Sequence, residues 1–261
     1  MTLGMTPTEL AALGSGDLSL LILDVRREAA FTSGAESLPG AIWRDPDEVA
    51  EWEPELELAR PILVACAHGH EVSQEVAAFL RDRGWPARYL VGGIEGWREA
   101  GGAMAPKPRP SSSWVTRARP KIDRIACPWL IRRFIDPGAR FRFVPASQVL
   151  ESAAATGAVP FDVPDVDLTH VGDGCSFDTF LVRYGLHDPA LARLAPIVRG
   201  ADTDRHDLAP QAAGLFAISL GLSACFPDDH AMLRHGLVLY DALYRWCRDL
   251  QEETHGWPPR A

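Results

Sequence analysis

The chain has 261 residues, a net charge of −9 and a hydrophobic content of 47%, which suits one large or two ordinary globular domains and excludes a wholly disordered protein. Its five cysteines include no CxxC pair, so a disulfide framework is not expected and a reducing compartment fits better. The first residues, "MTLGMTPTEL", lack the basic and apolar regions of a signal peptide. We therefore expect a cytoplasmic protein.

Charge is distributed unevenly along the chain. Residues 1–105 contain 8 Lys/Arg against 17 Asp/Glu, whereas residues 107–142 contain 10 basic and 2 acidic residues. The stretch "GGAMAPKPRPSSSW" has the Gly, Pro and Ser content of a linker. We predict a first domain over residues 1–105, a linker over 106–113 and a second domain over 114–261.

Short apolar runs alternate with a helical pattern before the linker. The runs "LSLLILDV", "RPILVAC" and "ARYLVGG" are typical of buried strands. Between the last two, "SQEVAAFLRDRG" predicts a helix with Ser73 as its N-cap and Gly84 just after its end. This order predicts an α/β domain whose central sheet is parallel and carries helices on its faces.

The second predicted strand ends on Cys66 and leads into "AHGHEV". Ligands usually bind at this end of a parallel strand. The N–H groups of the loop can form an anion-binding nest, for which Gly69 supplies the backbone angles, and the following helix adds positive potential. These features predict a Cys66 thiolate that receives or releases an anionic sulfur group. The alternative is a small buried hydrophobic residue at a strand end.

Four stretches over residues 5–104 resemble the rhodanese domain family. "LDVRREAAFTSG" and "LPGAI" resemble its first signature and the turn after it, "CAHGHEVS" its active loop, and "YLVGGIEGWREAGGAM" its closing signature. The resemblance implies sulfur transfer through a Cys66 persulfide, from a donor such as thiosulfate to a thiol or cyanide, with no required cofactor. It also implies an anion-binding site made of Asp24, Arg26, Ala67, His68, Gly69, His70, Glu71 and Val72.

Glu71 departs from the family pattern, which usually has Arg, Ser or Thr at this place. A carboxylate there should repel thiosulfate unless it points outward or is paired. Inactive rhodanese-like modules also exist, so a module that only binds anions is an alternative.

The second half is predicted to be a helix-dominated α+β domain. Pro128 suits a first helical turn, and Asp207 and Asp228 are predicted helix caps. "ARFRFVP" and "VPDVDLTHVG" are predicted strands. The uncharged run "LAPQAAGLFAISLGLSACFP" is interpreted as a buried helix rather than a membrane span, and no membrane association is expected.

Residues 114–250 resemble the C-terminal domain of the chromate-resistance protein ChrB. The likeness lies in "WVTRARPKIDRIACPWLIRRFIDPGARFRFVP", "PFDVP", "THVGDGCSFDTFL", "LARLAPIVRGADTD" and "YDALYRW". It implies a role in chromate resistance and little mechanism.

The first of these stretches is densely basic. Guanidinium groups bind oxyanions bidentately, so a site for chromate or sulfate is one interpretation, and a solvated helix face is the other. Nucleic-acid binding is unlikely, because no recognition motif is present and the net charge opposes it. The candidate anion-binding residues are Arg117, Arg119, Lys121, Arg124, Arg132 and Arg133.

Two further stretches, "HVGDGCSFD" and "ADTDRHD", are rich in metal-ligating residue types. Neither has the spacing of a standard site, and helix caps and core residues are the alternative. The candidate ligands of a divalent metal are His170, Asp202 and His206.

The leading hypothesis is a two-domain protein whose Cys66 carries sulfur and which acts in chromate or other oxyanion stress. One alternative is a non-enzymatic oxyanion sensor or regulator, and another is a thiol-dependent chromate reductase. The sequence does not determine the oligomeric state.

Overall fold

The computed structural model describes residues 3–13, 20–56, 60–107 and 111–251. The chain divides into two compact units, Met1–Ser112 and Ser113–Ala261, and their boundary lies inside the predicted linker. Parts of the first predicted strand, of the linker and of the C-terminal end lie outside the described residues, namely residues 18–19, 108–110 and 252–261.

The first unit contains a five-stranded sheet in which all neighbours are parallel, in the order β1-β6-β5-β2-β4. The central strand, β5, is buried on both faces, which explains its unbroken apolar sequence. The strands of this sheet are β1 (Gly4–Met5), β2 (Leu21–Asp24), β4 (Ile42–Trp43), β5 (Ile62–Ala65) and β6 (Ala87–Leu90).

The described residues of the first unit form five α-helices, and the longest follows β5. Helix α4 buries Val76, Ala77 and Leu80, the apolar face that the sequence predicts. Its N-cap is His70 and not Ser73, so that prediction is wrong; the helix begins earlier, and the Ser73 hydroxyl has another partner, Cys66. The helices are α1 (Pro7–Ala12), α2 (Glu28–Ser33), α3 (Val49–Trp52), α4 (Glu71–Asp82) and α5 (Gly93–Glu99).

The first unit extends slightly beyond its predicted end at residue 105. Strand β7 (Ala105–Pro106) pairs antiparallel with β3 (Glu36–Ser37). The ammonium group of Lys107 donates to the carbonyl oxygens of Phe31 and Thr32. The start of the predicted linker is therefore bound to the first unit.

The second unit contains a small parallel sheet in the order β10-β8-β9, formed by β8 (Ser113–Arg117), β9 (Arg140–Val144) and β10 (Val159–Pro160). The strand predicted for "ARFRFVP" is β9. The strand predicted for "VPDVDLTHVG" is wrong, because residues 163–172 form turns. Asp162 and Asp165 have positive φ angles of 52° and 63°, which do not fit an extended strand.

Most of the second unit is helical, as predicted. Its core is rich in aromatic side chains, among them the fully buried Trp129, Phe177, Phe180 and Tyr240. The helices are α6 (Asp123–Leu130), α7 (Val149–Thr156), α8 (Ser176–Arg183), α9 (Pro189–Asp202), α10 (Ala212–Cys225) and α11 (Asp229–Asp249).

Two predictions about helix ends are wrong and one is confirmed. Pro128 lies inside α6, which begins at Asp123, and a π-helical turn over Ile131–Ile135 follows it. Asp207 contacts Arg205, while α10 has Gln211 at its N-cap.

Asp228 caps α11 as predicted, since its carboxylate accepts from the backbone N–H of Ala231 at 2.7 Å.

The uncharged stretch "LAPQAAGLFAISLGLSACFP" contains α10, but this helix is not fully buried. Its buried positions are Ala212, Leu215, Ser219 and Ser223, whereas Ile218 is 50% exposed. The prediction of a buried helix is therefore wrong for one of its faces. Across the described part of the chain, no helix has the length and apolar character needed to cross a membrane.

Candidate active site

Cys66 lies directly after β5, where the sheet meets the start of α4. The residue is only 7% exposed, yet it lines a cavity of ≈ 310 Å³. The other lining residues are Arg26, Arg27, Ala30, Ala67, His68, His70, Glu71 and Val72. Apart from Gly69 and Asp24, the residues predicted for the anion-binding site thus surround one space.

The loop after Cys66 is held against the start of α5. The backbone N–H of Ile94 donates to the Cys66 carbonyl at 2.9 Å, and that of Glu95 donates to the Ala67 carbonyl at 3.0 Å. Gly69 has a φ of +69°, and a Cβ added there would lie 2.3 Å from the Leu90 carbonyl oxygen. Only glycine fits this close approach. With these carbonyls engaged on one side, the loop N–H groups are free to face the thiol.

The Cys66 sulfur lies among polar groups of the loop and of α4, and its thiol donates to the Ser73 hydroxyl oxygen. Its Sγ is 3.2 Å from the Ser73 hydroxyl oxygen, and the backbone N–H groups of His68, His70 and Ser73 also contact it. Burial acts to raise the pKa of Cys66, but the Ser73 hydroxyl and the three N–H groups outweigh it, so the pKa is lowered from its ordinary value. The predicted nest is therefore present around the sulfur.

Asp24 positions Arg26 beside the cavity. The Asp24 carboxylate is fully buried and accepts from Arg26 Nε at 3.0 Å and from the Ser37 hydroxyl at 2.7 Å. Because a buried carboxylate needs such partners, Asp24 holds the arginine rigidly. Asp24 therefore acts through Arg26, which itself lines the cavity.

Three ionisable side chains stand at the mouth of the cavity. His68, His70 and Glu71 are all exposed, and the two imidazole rings lie 6.0 Å apart. Glu71 is the first residue of α4, a position at which the helix dipole stabilises a carboxylate. Glu71 also lines the cavity that Cys66 lines, so an acidic residue borders the space that an anion would enter.

In the second unit, the candidate anion-binding arginines contact groups of the protein itself. Arg117 and Arg124 both contact the Asp162 carboxylate, at 3.1 and 3.5 Å. The remaining three are bound to carbonyls or to another acid: Arg119 to Ser223 and Pro227, Arg132 to Ala139, and Arg133 to Asp241. These contacts give the basic stretch a structural role. The shared oxyanion site remains a prediction.

His170 lies among three aspartates, and together they form the Asp–His cluster (Asp123, Asp162, His170 and Asp202). Its Nε2 is 3.5 Å from Asp123 Oδ2, 3.5 Å from Asp162 Oδ1 and 3.2 Å from Asp202 Oδ2. His170 is 42% exposed, whereas Asp123 and Asp162 are buried. The predicted candidates His170 and Asp202 are thus brought together.

His206, the third predicted ligand, has other neighbours. Its Nε2 is 3.7 Å from Asp204, and its ring contacts Phe216. The core interpretation is confirmed for Cys175, which is buried directly before α8, and burial raises its pKa. In the same stretch, Asp178 accepts from the Cys175 N–H and binds Arg199.

The carboxyl groups of the Asp–His cluster interact strongly. Burial, then the charges of Asp202 and Asp162, raise the pKa of Asp123 well above its usual range. The contact with Asp162 raises the pKa of His170 to about 9, against the lowering effect of burial. Where these carboxylates meet, Asp123 therefore favours its neutral form and His170 its protonated form.

Sequence reasoning missed Ser73 as a partner of the thiol, and it missed Asp123 and Asp162. Asp123 is the single acid in the basic stretch "WVTRARPKIDRIACPWLIRR", and Asp162 lies in the apolar "PFDVP". For Asp162, the only local signal of burial is a charged residue between apolar neighbours. For Asp123, it is a single acid within a basic stretch.

Comparisons with known proteins find a matching family for each unit. Residues 6–100 match the rhodanese-like domain family, and residues 114–247 match the family described as ChrB, C-terminal domain.

Curated relatives also divide between the two units. A Protein ChrB of Cupriavidus metallidurans is 36% identical over 132 residues, which make up 50% of this chain and 39% of that protein. A thiosulfate sulfurtransferase GlpE of Pseudomonas syringae is 37% identical over 79 residues, 30% of this chain and 72% of that protein. Among solved structures, a rhodanese-related protein of Thermoplasma volcanium is 25% identical, with a TM-score of 0.35, and covers 40% of this chain and 98% of that one.

Proposed function

Since the chain belongs to the rhodanese-like domain family and to the family of the ChrB C-terminal domain, we propose that its first unit transfers sulfur through a persulfide on Cys66. One observation carries the proposal: the Cys66 sulfur lies at a cavity and is surrounded by the Ser73 hydroxyl and three backbone N–H groups. This environment stabilises a thiolate and, after sulfur uptake, the persulfide anion.

In the first half-reaction, the Cys66 thiolate attacks the outer sulfur of a donor such as thiosulfate. A bond forms between Sγ and that sulfur, and the bond to the sulfonate sulfur breaks. Sulfite leaves with the bonding electron pair. The loop N–H groups that contact Sγ stabilise the negative charge of the persulfide that forms on it.

In the second half-reaction, a nucleophile such as cyanide or a thiolate attacks the outer sulfur of the persulfide. With cyanide, a carbon–sulfur bond forms, the sulfur–sulfur bond breaks and thiocyanate leaves. The electron pair returns to Sγ, so the thiolate is regenerated without an external oxidant or reductant. The Cys66 site carries this step because the outer sulfur would project into the cavity.

We further propose that this chemistry serves a cell under chromate or related oxyanion stress, in the cytoplasm. The support is the fusion of the sulfurtransferase-like unit to a ChrB C-terminal domain within one chain. The chain spans 39% of the ChrB relative that it matches, so the activity and partners of that protein are not carried over as a whole.

The test is thiosulfate:cyanide sulfur transfer by the full chain, with thiocyanate as the measured product. We expect turnover, a stable gain of one sulfur atom on Cys66 by mass spectrometry of the thiosulfate-treated protein, and loss of both in Cys66→Ser. Cys225→Ser is the matched control, because Cys225 is an exposed free cysteine in the second unit and should not matter.

Undiminished turnover in Cys66→Ser would overturn the assignment. A folded wild-type protein that neither turns over nor takes up sulfur would favour the non-enzymatic alternative, an anion-binding module.

A further inference from the structure

The Asp–His cluster has no part in the chemistry of Cys66. Four separate parts of the second unit supply it: Asp123 begins α6, Asp162 follows β10, His170 lies in the turns before α8, and Asp202 ends α9. We propose that the Asp–His cluster binds one divalent cation of the first transition row, with Asp123, Asp162 and His170 as ligands and Asp202 as the fourth.

The distances around His170 fit ligands that share one ion. Its Nε2 lies 3.2–3.5 Å from an oxygen of each aspartate. Ligand atoms bound about 2.1 Å from a tetrahedral ion lie about 3.4 Å from one another. A charge-assisted hydrogen bond is shorter, about 2.7–2.9 Å, and one Nε2–H can point at only one oxygen. Three near-equal distances therefore fit a common cation better than a protonated imidazole.

Three of the four residues are close enough to act as one ligand set. One ligand atom each from Asp123, Asp162 and His170 lies within 4.8 Å of the other two. Asp202 joins this set through its contact with His170 and accepts from the backbone N–H of Asp123 at 3.4 Å.

Asp123 supplies an independent observation. Its side chain is 1% exposed, and its Oδ1 has no hydrogen-bond partner among the residues that the structure describes. A buried carboxylate oxygen without a partner is costly. A bound cation would supply the missing counter-charge.

Outer contacts hold the ligands in place. The Ser176 hydroxyl donates to Asp162 Oδ1 at 2.7 Å, and the Ser176 backbone N–H donates to Asp123 Oδ2. Arg117 and Arg124 contact the other oxygen of Asp162, so Oδ1 stays directed at His170. Such outer contacts are typical of metal sites, where they orient the ligand atoms.

The donor set indicates the class of ion. Carboxylate oxygens with one imidazole nitrogen suit Mn²⁺, Fe²⁺, Ni²⁺ or Zn²⁺. Cu⁺ and other ions that prefer sulfur do not suit this set of oxygen and nitrogen ligands.

The test uses the full chain, purified without a polyhistidine tag and stripped with a chelator. Calorimetric titration with MnCl₂, NiCl₂ and ZnCl₂, and with Fe²⁺ under anaerobic conditions, should show one equivalent bound for at least one ion. That ion should also raise the melting temperature, because it binds the native state. His170→Gln and Asp162→Asn should each weaken binding at least about tenfold.

Matched controls come from the same region. Asp204 is 90% exposed and lies two positions after Asp202, so Asp204→Asn should leave the affinity within about twofold of wild type. His206→Gln should do the same, and Cys66→Ser should bind metal normally, which separates this proposal from the sulfur-transfer proposal. Since His170 is 42% exposed, its substitution leaves no cavity in the hydrophobic core. Circular dichroism will show whether each variant is folded.

Two results would overturn the site. One is a folded wild-type protein that binds none of these ions at millimolar concentration. The other is binding that survives in both His170→Gln and Asp162→Asn, or that is lost in His206→Gln, because the ion would then lie elsewhere.

Discussion

The hydroxyl oxygen of Ser73 lies 3.2 Å from Cys66 Sγ and 3.2 Å from the carbonyl oxygen of His70. Ser73 is fully buried in the first turn of α4, so its side chain cannot turn away into solvent. The hydroxyl therefore links the sulfur to the loop that surrounds it.

Removing the Ser73 hydroxyl should destabilise the thiolate form of Cys66. In Ser73→Ala the pKa of Cys66 should rise, because one of the groups that lower it is gone. One hydrogen bond contributes about 0.5–1.5 kcal/mol, so kcat/KM for thiosulfate at neutral pH should fall about two- to tenfold. The rate of alkylation by iodoacetamide, measured against pH, should shift towards higher pH.

Ser73→Thr is the matched control, because it keeps the hydroxyl and should retain most of the activity. An unchanged alkylation profile in Ser73→Ala would mean that the backbone N–H groups alone stabilise the thiolate.

Glu71 should limit the use of anionic donors. Because Glu71 lines the cavity, Glu71→Gln should raise kcat/KM for thiosulfate by roughly two- to fivefold, and the gain should shrink with added salt. Steady-state kinetics at two ionic strengths measure both effects.

Glu75→Gln provides the comparison, since Glu75 is exposed on the same helix and does not line the cavity. Equal effects of the two substitutions would show that only the overall charge matters.

Gly69 and Gly84 allow a test of the loop's tight packing. Both have positive φ angles, +69° and +87°, but a Cβ at Gly69 would meet the Leu90 carbonyl at 2.3 Å, whereas nothing lies within 4 Å at Gly84. Gly84→Ala should cost about 1 kcal/mol of unfolding free energy, from backbone strain alone. Gly69→Ala should cost at least about 2 kcal/mol more and abolish sulfur transfer. Urea denaturation compares the two, and equal costs would mean that the loop moves aside.

Asp188 should make the second unit sensitive to acid. It caps α9, accepting from the N–H groups of Ala190 and Leu191 and from the Tyr244 hydroxyl. Burial acts to raise the pKa of Asp188, but these donors outweigh it and lower the pKa. Its stabilising effect is therefore complete above the unfolded-state pKa of about 3.9 and is lost as the pH falls through the lower folded-state value.

Asp188→Ala should consequently cost about 0.5–2 kcal/mol at neutral pH and progressively less below about pH 4. Asp228→Ala is the comparison, because Asp228 caps α11 through the N–H of Ala231. Denaturation across this pH range measures the difference, and a cost for Asp188→Ala that does not change with pH would contradict the argument.

Sequence patterns predicted the fold class correctly: a rhodanese-like domain with a parallel sheet is followed by a helix-rich unit. The apolar face of α4 and the cap at Asp228 were also predictable, because side chains three or four positions apart determine them. The predictions for Asp207, for Pro128 and for the strand over residues 163–172 failed. Each depended on where neighbouring elements pack, which local propensity does not contain.

The sequence by itself determined that Cys66 lies between a strand and a helix, because the strand end, the loop and the first helical turn all lie within residues 62–73. Tertiary structure decided the rest of its surroundings, since Arg26 follows β2 and the start of α5 holds the loop. Only the tertiary structure determined that the four residues of the Asp–His cluster lie close together. Its residues lie at positions 123, 162, 170 and 202, and only the packing of α6, α8 and α9 beside β10 brings them together. Charges so far apart in the chain leave no periodic signal, since their closeness results from burial of the apolar surfaces around them.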